Sequence, residues 1–308
     1  TMKIKLFVGL HVFVTALAFD HFGDNSTSVE IPPCTTRSDD TYGMSRNMKT
    51  RIWPRKKVPY KISSGFTSSE KKVIYDAINH IQSNSCVRFR RKKWYNFRYV
   101  KFVTGGSTCY ATGIGYSPFR RKTKIRLAKP GCINIGIVAH EILHVLGFEH
   151  EQNRPDRDRY VKIQWNNIKD NKNDYHQFIR SRFWREPIKT CNERRLMPYD
   201  NCAKRSTTVT YGFPYDYKSI MHYRPYSLTK NNKPTITKRN GGTTGIGRGS
   251  RLSLLDFKKL NRAYRCPAKT AKPCKNRRSS FYCRVFVSRR RCRRSKYRNR
   301  CRKKCKAC

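Results

Sequence analysis

Three histidines, a glutamate and a glycine fall within eleven residues, in the order His140-Glu141-Ile142-Leu143-His144-Val145-Leu146-Gly147-Phe148-Glu149-His150. Four residues of α-helix make one turn plus about 40°, so His140 and His144 project from one face. Two imidazoles a turn apart can meet one tetrahedral Zn2+ at about 2.0–2.1 Å. Glu141 is placed to hold a water at that metal as general base and not to ligate it. Gly147 tolerates left-handed backbone, ends the helix and turns the chain back, so His150 arrives as third ligand from another direction. The bland alternative is a pair of core histidines plus coincidence. At this chain's own residue frequencies all five positions match about once in a hundred thousand such chains. The metal reading stands.

The elements that must position these residues are legible in outline. Residues 135–146 have the composition of a buried helix. Upstream, residues 56–62 look strand-like, and Thr67-Ser68-Ser69-Glu70 forms a capping box. Behind the box, Val73, Ile74, Ala77, Ile78 and Ile81 recur at helical spacing. Residues 87–89, 99–103 and 124–127 alternate as half-buried strands do. The order predicts an α+β domain, one mixed sheet with two long helices against it.

At 308 residues the chain can bury one good-sized core and still carry appendages. Lys and Arg number 69 against 19 Asp and Glu, a formal charge of +50. Charge of that sign draws polyanions of many kinds, so nucleic acid is not singled out and is not the expected partner. Thirteen cysteines are too many for an ordinary cytosolic protein. Residues 1–18 fit a signal peptide: Lys3 and Lys5 precede an apolar run from Leu6 that ends in Ala16-Leu17-Ala18. That run is too short to span a bilayer and His11 interrupts it. The expectation is a secreted, extracellular, disulfide-permissive protein with no membrane span. Residues 19–46 are polar, mostly without period, and read as a propeptide; Asn25-Ser26-Thr27 is a glycosylation tripeptide. Folded sequence begins near Trp53.

The histidine pattern is that of the metzincins. The run from His150 through Glu151, Arg154, Asp156 and Arg157 to Asp158 resembles the astacin family's extension of it. Tyr215, Tyr217 and the segment Ile220-Met221-His222-Tyr223 resemble that family's Met-turn. Cys86-Val87-Arg88-Phe89, Pro234-Thr235-Ile236 and the stretch from Leu252 through Asp256 to Asn261 and Cys266 are similar as well, so the resemblance covers residues 53–266. It implies a two-lobed catalytic domain over residues 47–266, with one Zn2+ and the zinc helix as the floor of the cleft between lobes. Met221 would form an apolar floor under the metal. Tyr223 would be a dissociable fifth ligand that swings off to hydrogen-bond the oxyanion. The resemblance pairs Cys86 with Cys266 and Cys109 with Cys132. It also implies maturation near Arg46, the new terminus at about Asn47 lying close to Glu151. For latency it implies an aspartate latch on zinc, here Asp24 in His21-Phe22-Gly23-Asp24, where histidine replaces the usual aromatic. Cys34 offers a rival cysteine latch, and Asp24 is favoured. Between His150 and Met221 the chain is longer than the family usually is. The excess holds Cys191 and Cys202, read as a staple that reshapes one rim of the cleft.

Residues 267–273 read as a linker to a separate module, 274–308. From residue 267 onward there are 18 basic residues, six cysteines and no acid. Six cysteines allow fifteen pairings. The spacing Cys301-x3-Cys305-x2-Cys308 resembles a sea-anemone-toxin-like (ShKT) domain, which implies Cys274–Cys308, Cys283–Cys301 and Cys292–Cys305. Lys296-Tyr297 stands where channel-blocking members carry such a pair, but chance in a module nearly half basic explains it better. A polyanion anchor fits the charge.

The function expected is a secreted zinc endopeptidase made as a zymogen, acting on extracellular proteins or peptides. Its basic cleft would favour acidic side chains, with Arg239 facing the pocket beyond the scissile bond. The rival is a binding protein or toxin in which the basic tail acts on polyanions or potassium channels and the protease domain is secondary. Only the enzyme needs Glu141.

Overall fold

A computed structural model of the protein describes residues 52–183, 186–187, 189–191, 202–204, 207–247, 249–267, 276, 278–288, 290–301 and 304–305. Residues 1–18, read as a signal peptide, and the Asn25-Ser26-Thr27 tripeptide lie outside the described residues, as do Asp24, Cys34, Arg46, Asn47, Cys274 and Cys308.

Local sequence dictates the first helix. Thr67 Oγ1 accepts the Glu70 N–H (3.3 Å) while the Glu70 carboxylate accepts the Thr67 N–H (2.8 Å), satisfying two donors that a helix start leaves open. The helix that follows, α1 (Ser68–Asn84), buries Ile74, Ala77, Ile78 and Ile81. That stripe sets α1 against α2 (Ile135–Val145), the helix that carries the first two histidines.

The sheet beside them has the order β2 (Arg88–Arg91), β1 (Lys57–Ile62), β3 (Tyr99–Thr104), β5 (Lys122–Leu127), β4 (Tyr110–Ala111). All neighbours are parallel except β4, which runs antiparallel to β5. The mixed sheet expected from the alternating segments is present. Period-two alternation buries Val58, Phe89, Val100, Phe102, Ile125 and Leu127 in one core with both helices.

A second core forms downstream around Val161, Ile163, Trp165, Ile168, Phe178 and Ile236. It is built on β6 (Val161–Ile163), its antiparallel partner β7 (Ile236–Lys238), and α3 (Lys172–Phe178). These elements are three to seven residues long, too short to show a period in sequence. The chain then returns to the first core through α4 (Leu254–Ala263), which starts on a second capping box, Ser253 with Asp256.

Disulfides join Cys86 to Cys266, Cys109 to Cys132 and Cys191 to Cys202. The basic module holds α5 (Ser280–Phe286) and α6 (Ser295–Arg300), with Cys283 joined to Cys301 and Cys292 to Cys305 around a small core of Cys283, Val287 and Cys301. Tyr297 packs on that core under the Arg291 guanidinium (5.8 Å), and Lys296 is exposed. Among the described residues no helix is long and apolar enough to cross a membrane.

The first disulfide fastens the end of α1 to the chain just past α4, across 180 residues. Replacing the pair (Cys86→Ser with Cys266→Ser) should cost about 2–5 kcal/mol, because the unfolded chain regains the freedom of a very long loop. The check is the shift in denaturant midpoint against the parent; an unshifted midpoint would remove the bridge from the stability account.

Candidate metal centre

Helix α2 delivers His140 and His144 because its end is held on every side. A helix leaves its last carbonyls without partners. Here the Leu143 carbonyl accepts the Phe148 N–H (3.0 Å), and the His144 carbonyl accepts the N–H groups of Gly147 and Gly115 (both 2.9 Å). The Val145 carbonyl accepts the Trp53 indole N–H (2.9 Å), and the Leu146 carbonyl accepts the Tyr264 hydroxyl (3.0 Å). Trp53, ahead of β1, and Tyr264, just past α4, thus close the same helix end. Gly147 sits at φ +105°, a backbone that side chains disfavour, and reverses the chain toward His150.

The three imidazoles converge. His140 Nε2 lies 3.1 Å from His144 Nε2 and 3.2 Å from His150 Nε2, and His144 Nε2 lies 3.2 Å from His150 Nε2. All three rings are buried. His140 Nδ1 donates to the Ile220 carbonyl and His144 Nδ1 to the Phe148 carbonyl, both at 2.8 Å. A carbonyl only accepts, so those Nδ1 atoms carry the proton and the Nε2 lone pairs face the common centre. Burial pushes His140 down to about 4 and His144 down to about 3, and it holds His150 well below the usual imidazole range. Neutral lone pairs packed this closely repel unless a cation joins them. With metal–nitrogen bonds of about 2.0–2.1 Å, two corners of a tetrahedral zinc shell lie about 3.3 Å apart, close to the spacing found. The donor set fits zinc, and His140, His144 and His150 form the zinc-binding site.

Each neighbour expected in sequence has a definite place. Glu141 is fully buried on α2. Met221 is buried in the first core and Tyr223, two residues on, in the second, so this segment bridges the two cores. The Tyr223 ring lies 4.6 Å from the His150 ring, and its hydroxyl points to Gln177 Oε1 at 3.5 Å. His222, between them, takes no part: Tyr215 donates to its Nε2 (2.7 Å) and its Nδ1 donates to the Tyr223 carbonyl (2.7 Å). Arg239 is exposed just after β7, its N–H donating to the Tyr160 carbonyl.

Glu151 is buried and heavily partnered. It accepts Lys259 Nζ at both oxygens (2.7 Å each), Arg154 Nη1 (3.0 Å) and the Asp216 N–H (3.0 Å). Arg154 also forks onto Asp156 (2.9 and 2.8 Å). The carboxylate expected beside a new amino terminus is therefore already engaged by two side-chain cations.

Sequence reasoning missed the part α4 plays. Asp256 accepts Ser219 Oγ (2.6 Å) and the Ile220 N–H (3.0 Å), and Ile220 is the residue whose carbonyl orients His140. Lys259, three residues on and so on the same helix face, holds Glu151, whose N–H donates to the Met221 carbonyl (2.8 Å). Gln152 Oε1 accepts the Tyr223 N–H (3.1 Å). The signal within reach was the second capping box, Ser253 to Asp256, which fixes where α4 starts.

A family model described as Astacin, a peptidase family, matches residues 45–203 and 188–265. Seminal metalloprotease 1 of Drosophila melanogaster is 34% identical over 222 residues, 70% of this chain and 78% of that protein. Zinc metalloproteinase nas-4 of Caenorhabditis elegans is 30% identical over 217 residues; the match takes in 70% of this chain but only 60% of that longer relative. Among solved structures, High choriolytic enzyme 1, a hatching enzyme zinc-protease from Oryzias latipes, superposes with a TM-score of 0.57 at 27% identity, covering 70% of this chain and 94% of that one.

The orienting role of Asp256 generates a prediction. Asp256→Ala frees the Ser219–Met221 turn and with it the carbonyl on His140, and loss of such support typically weakens metal binding about 10–100-fold. Competition with a chromophoric chelator measures it; an unchanged zinc dissociation constant in a folded variant would show that the turn holds its place without α4.

Proposed function

This chain belongs to the astacin family of zinc metalloendopeptidases, and from that premise we propose that it is secreted as a zymogen and cleaves extracellular proteins with Glu141 as general base. The observation that carries the reading is the buried trio of Nε2 atoms within 3.2 Å of one another, with buried Glu141 next to the first ligand on the same helix. Zinc held there supplies Lewis acidity to the scissile carbonyl and the attacking water. Glu141 takes a proton from that water and passes it to the leaving amine. Tyr223, whose ring lies against His150, turns its hydroxyl from Gln177 to donate to the developing oxyanion.

Acidic side chains near the scissile bond would be favoured. One support is the formal charge of +50. Another is Lys204, beside the Cys191–Cys202 staple: burial chiefly holds the His150 pKa down, the neighbouring His144 and His140 come next, and the Lys204 charge adds a smaller push in the same direction. Arg239 is a second cation, just past β7. The proposed domain limits are those read from sequence, residues 19–46 as prosegment with Asp24 as latch, 47–266 as protease and 274–308 as a ShKT-like anchor for anionic matrix.

Glu141→Gln should retain zinc by elemental analysis while hydrolysis of a quenched acidic peptide falls by at least about 100-fold, the lower end of what a positioned acid–base group contributes. Zinc chelation should abolish hydrolysis by the parent. A Glu141→Gln protein as active as the parent would refute the assignment. Tyr223→Phe should lower kcat about 100-fold with KM little changed, as loss of an oxyanion donor does; an equal loss through KM alone would make Tyr223 a binding residue. Asp24→Ala should give premature activity in the precursor, and a precursor as silent as the parent would sink the latch.

A further inference from the structure

Between Asp76 and Glu141 the chain carries no acidic residue, yet Arg90, Arg91, Lys92, Lys93, Arg98, Arg120, Arg121 and Lys122 cluster in or beside two connecting segments there. Both segments sit at one end of the five-stranded sheet. Residues 92–98 lead into β3 and residues 112–121 lead into β5, whose first residues, Tyr99 and Lys122, are paired. Arg98 Nε donates to the Pro118 carbonyl (2.6 Å) and the Tyr99 N–H donates to the Arg121 carbonyl (3.3 Å), so the two segments are fastened together.

Each segment holds a fixed tight turn. In the first, Asn96 Oδ1 accepts the Lys93 N–H (2.8 Å) and the Asn96 N–H donates to the Lys93 carbonyl (3.0 Å). In the second, the Ser117 carbonyl accepts the Arg120 N–H (3.3 Å). The turns raise aromatic rings to their tips: Trp94 is 85% exposed, Phe97 63%, Phe119 96% and Tyr95 49%. Scattered exposed apolar residues need no explanation, but four aromatic rings on two joined turns do. The catalytic machinery uses none of them.

We propose that these turns form a docking surface for an anionic phospholipid bilayer, with Trp94, Phe97 and Phe119 entering the interfacial layer and the surrounding Lys and Arg meeting the headgroups. The aromatic component decides the occupant. A sulfated polysaccharide would satisfy the cations and leave the rings in water, whereas a bilayer interface takes both at once. Lys92 and Lys93 already lie along ring faces, over Tyr99 (5.1 Å) and Tyr95 (5.8 Å), an arrangement that lets apolar and charged parts face the surface together.

The test uses the whole chain with inactivating Glu141→Gln, so that autolysis is silent. Its sedimentation with vesicles of phosphatidylcholine and phosphatidylserine (about 3:1, an anionic surface) is compared with that of a Trp94→Ala, Phe97→Ala, Phe119→Ala triple variant in the same background. Both keep the basic tail, so any difference belongs to the turns. The triple variant should partition at least about tenfold more weakly, since interfacial affinity scales with buried apolar area, while its retention on heparin stays that of the parent. The same triple substitution in active enzyme should leave cleavage of a soluble peptide unchanged, which certifies the fold. Brominated lipid should quench parent fluorescence more than that of Trp94→Phe, a single mild change that serves if the triple variant folds poorly. Equal partitioning of parent and triple variant, or quenching that Trp94→Phe does not diminish, would overturn the proposal. Heparin retention falling as far as vesicle binding would overturn it in favour of a polysaccharide.

Discussion

Three buried imidazole Nε2 atoms must be kept within about 3.2 Å of each other, and two of them, on His140 and His144, present lone pairs that repel at that distance. Everything near the site can be understood as meeting that demand. Metal offsets the repulsion when bound, but the ring directions are set by groups that do not depend on it. Two of the rings donate to carbonyls that belong to the protein's own turns, Ile220 and Phe148. Those turns are in turn held by α4 and by the reversal at Gly147. The support therefore runs outward from ligand to backbone to a helix more than a hundred residues away in sequence.

That arrangement explains the charged run after His150, which as composition is only a patch of acids and bases. Buried charges are tolerable when paired and hydrogen-bonded. Arg157 is buried with its guanidinium on Asp158 and on the Gln152 and Phe178 carbonyls, and Arg154 is shared between Glu151 and Asp156. Removing one partner would leave another buried charge unpaired, directly after the third ligand in the chain.

How much of this was legible follows the range of each interaction. The capping box at Thr67, the stripe of α1 and the alternating strands are local, and sequence placed them within about two residues, the usual slack of element ends. The ligand set was legible because two of its members share a helix face and the third follows a glycine. The second core was not, since Val161–Ile163 and Ile236–Lys238 become a sheet only by pairing with each other across more than seventy intervening residues. Asp256 stood in a stretch that resembles the family, but its contacts and those of Lys259 were hidden for the same reason: their partners, Ser219 and Glu151, are distant in the chain, and on α4 alone the pair reads as a cap and a surface cation. Glu151 shows the converse limit. Its motif marked it as special, but only the fold reveals that its oxygens are engaged by Lys259 and Arg154.

The bridge from Cys86 to Cys266 has a topological consequence. It makes the stretch that contains the three zinc-binding histidines, the Ser219–Tyr223 segment and most of α4's anchoring contacts a covalent ring. A single backbone cut anywhere on that ring opens it without releasing a fragment, and the Cys109–Cys132 and Cys191–Cys202 bridges do the same for two smaller loops inside it. For an enzyme whose surroundings include copies of itself, a nick in an exposed segment becomes a scar, and the halves stay tethered at high effective concentration in register to hold the metal.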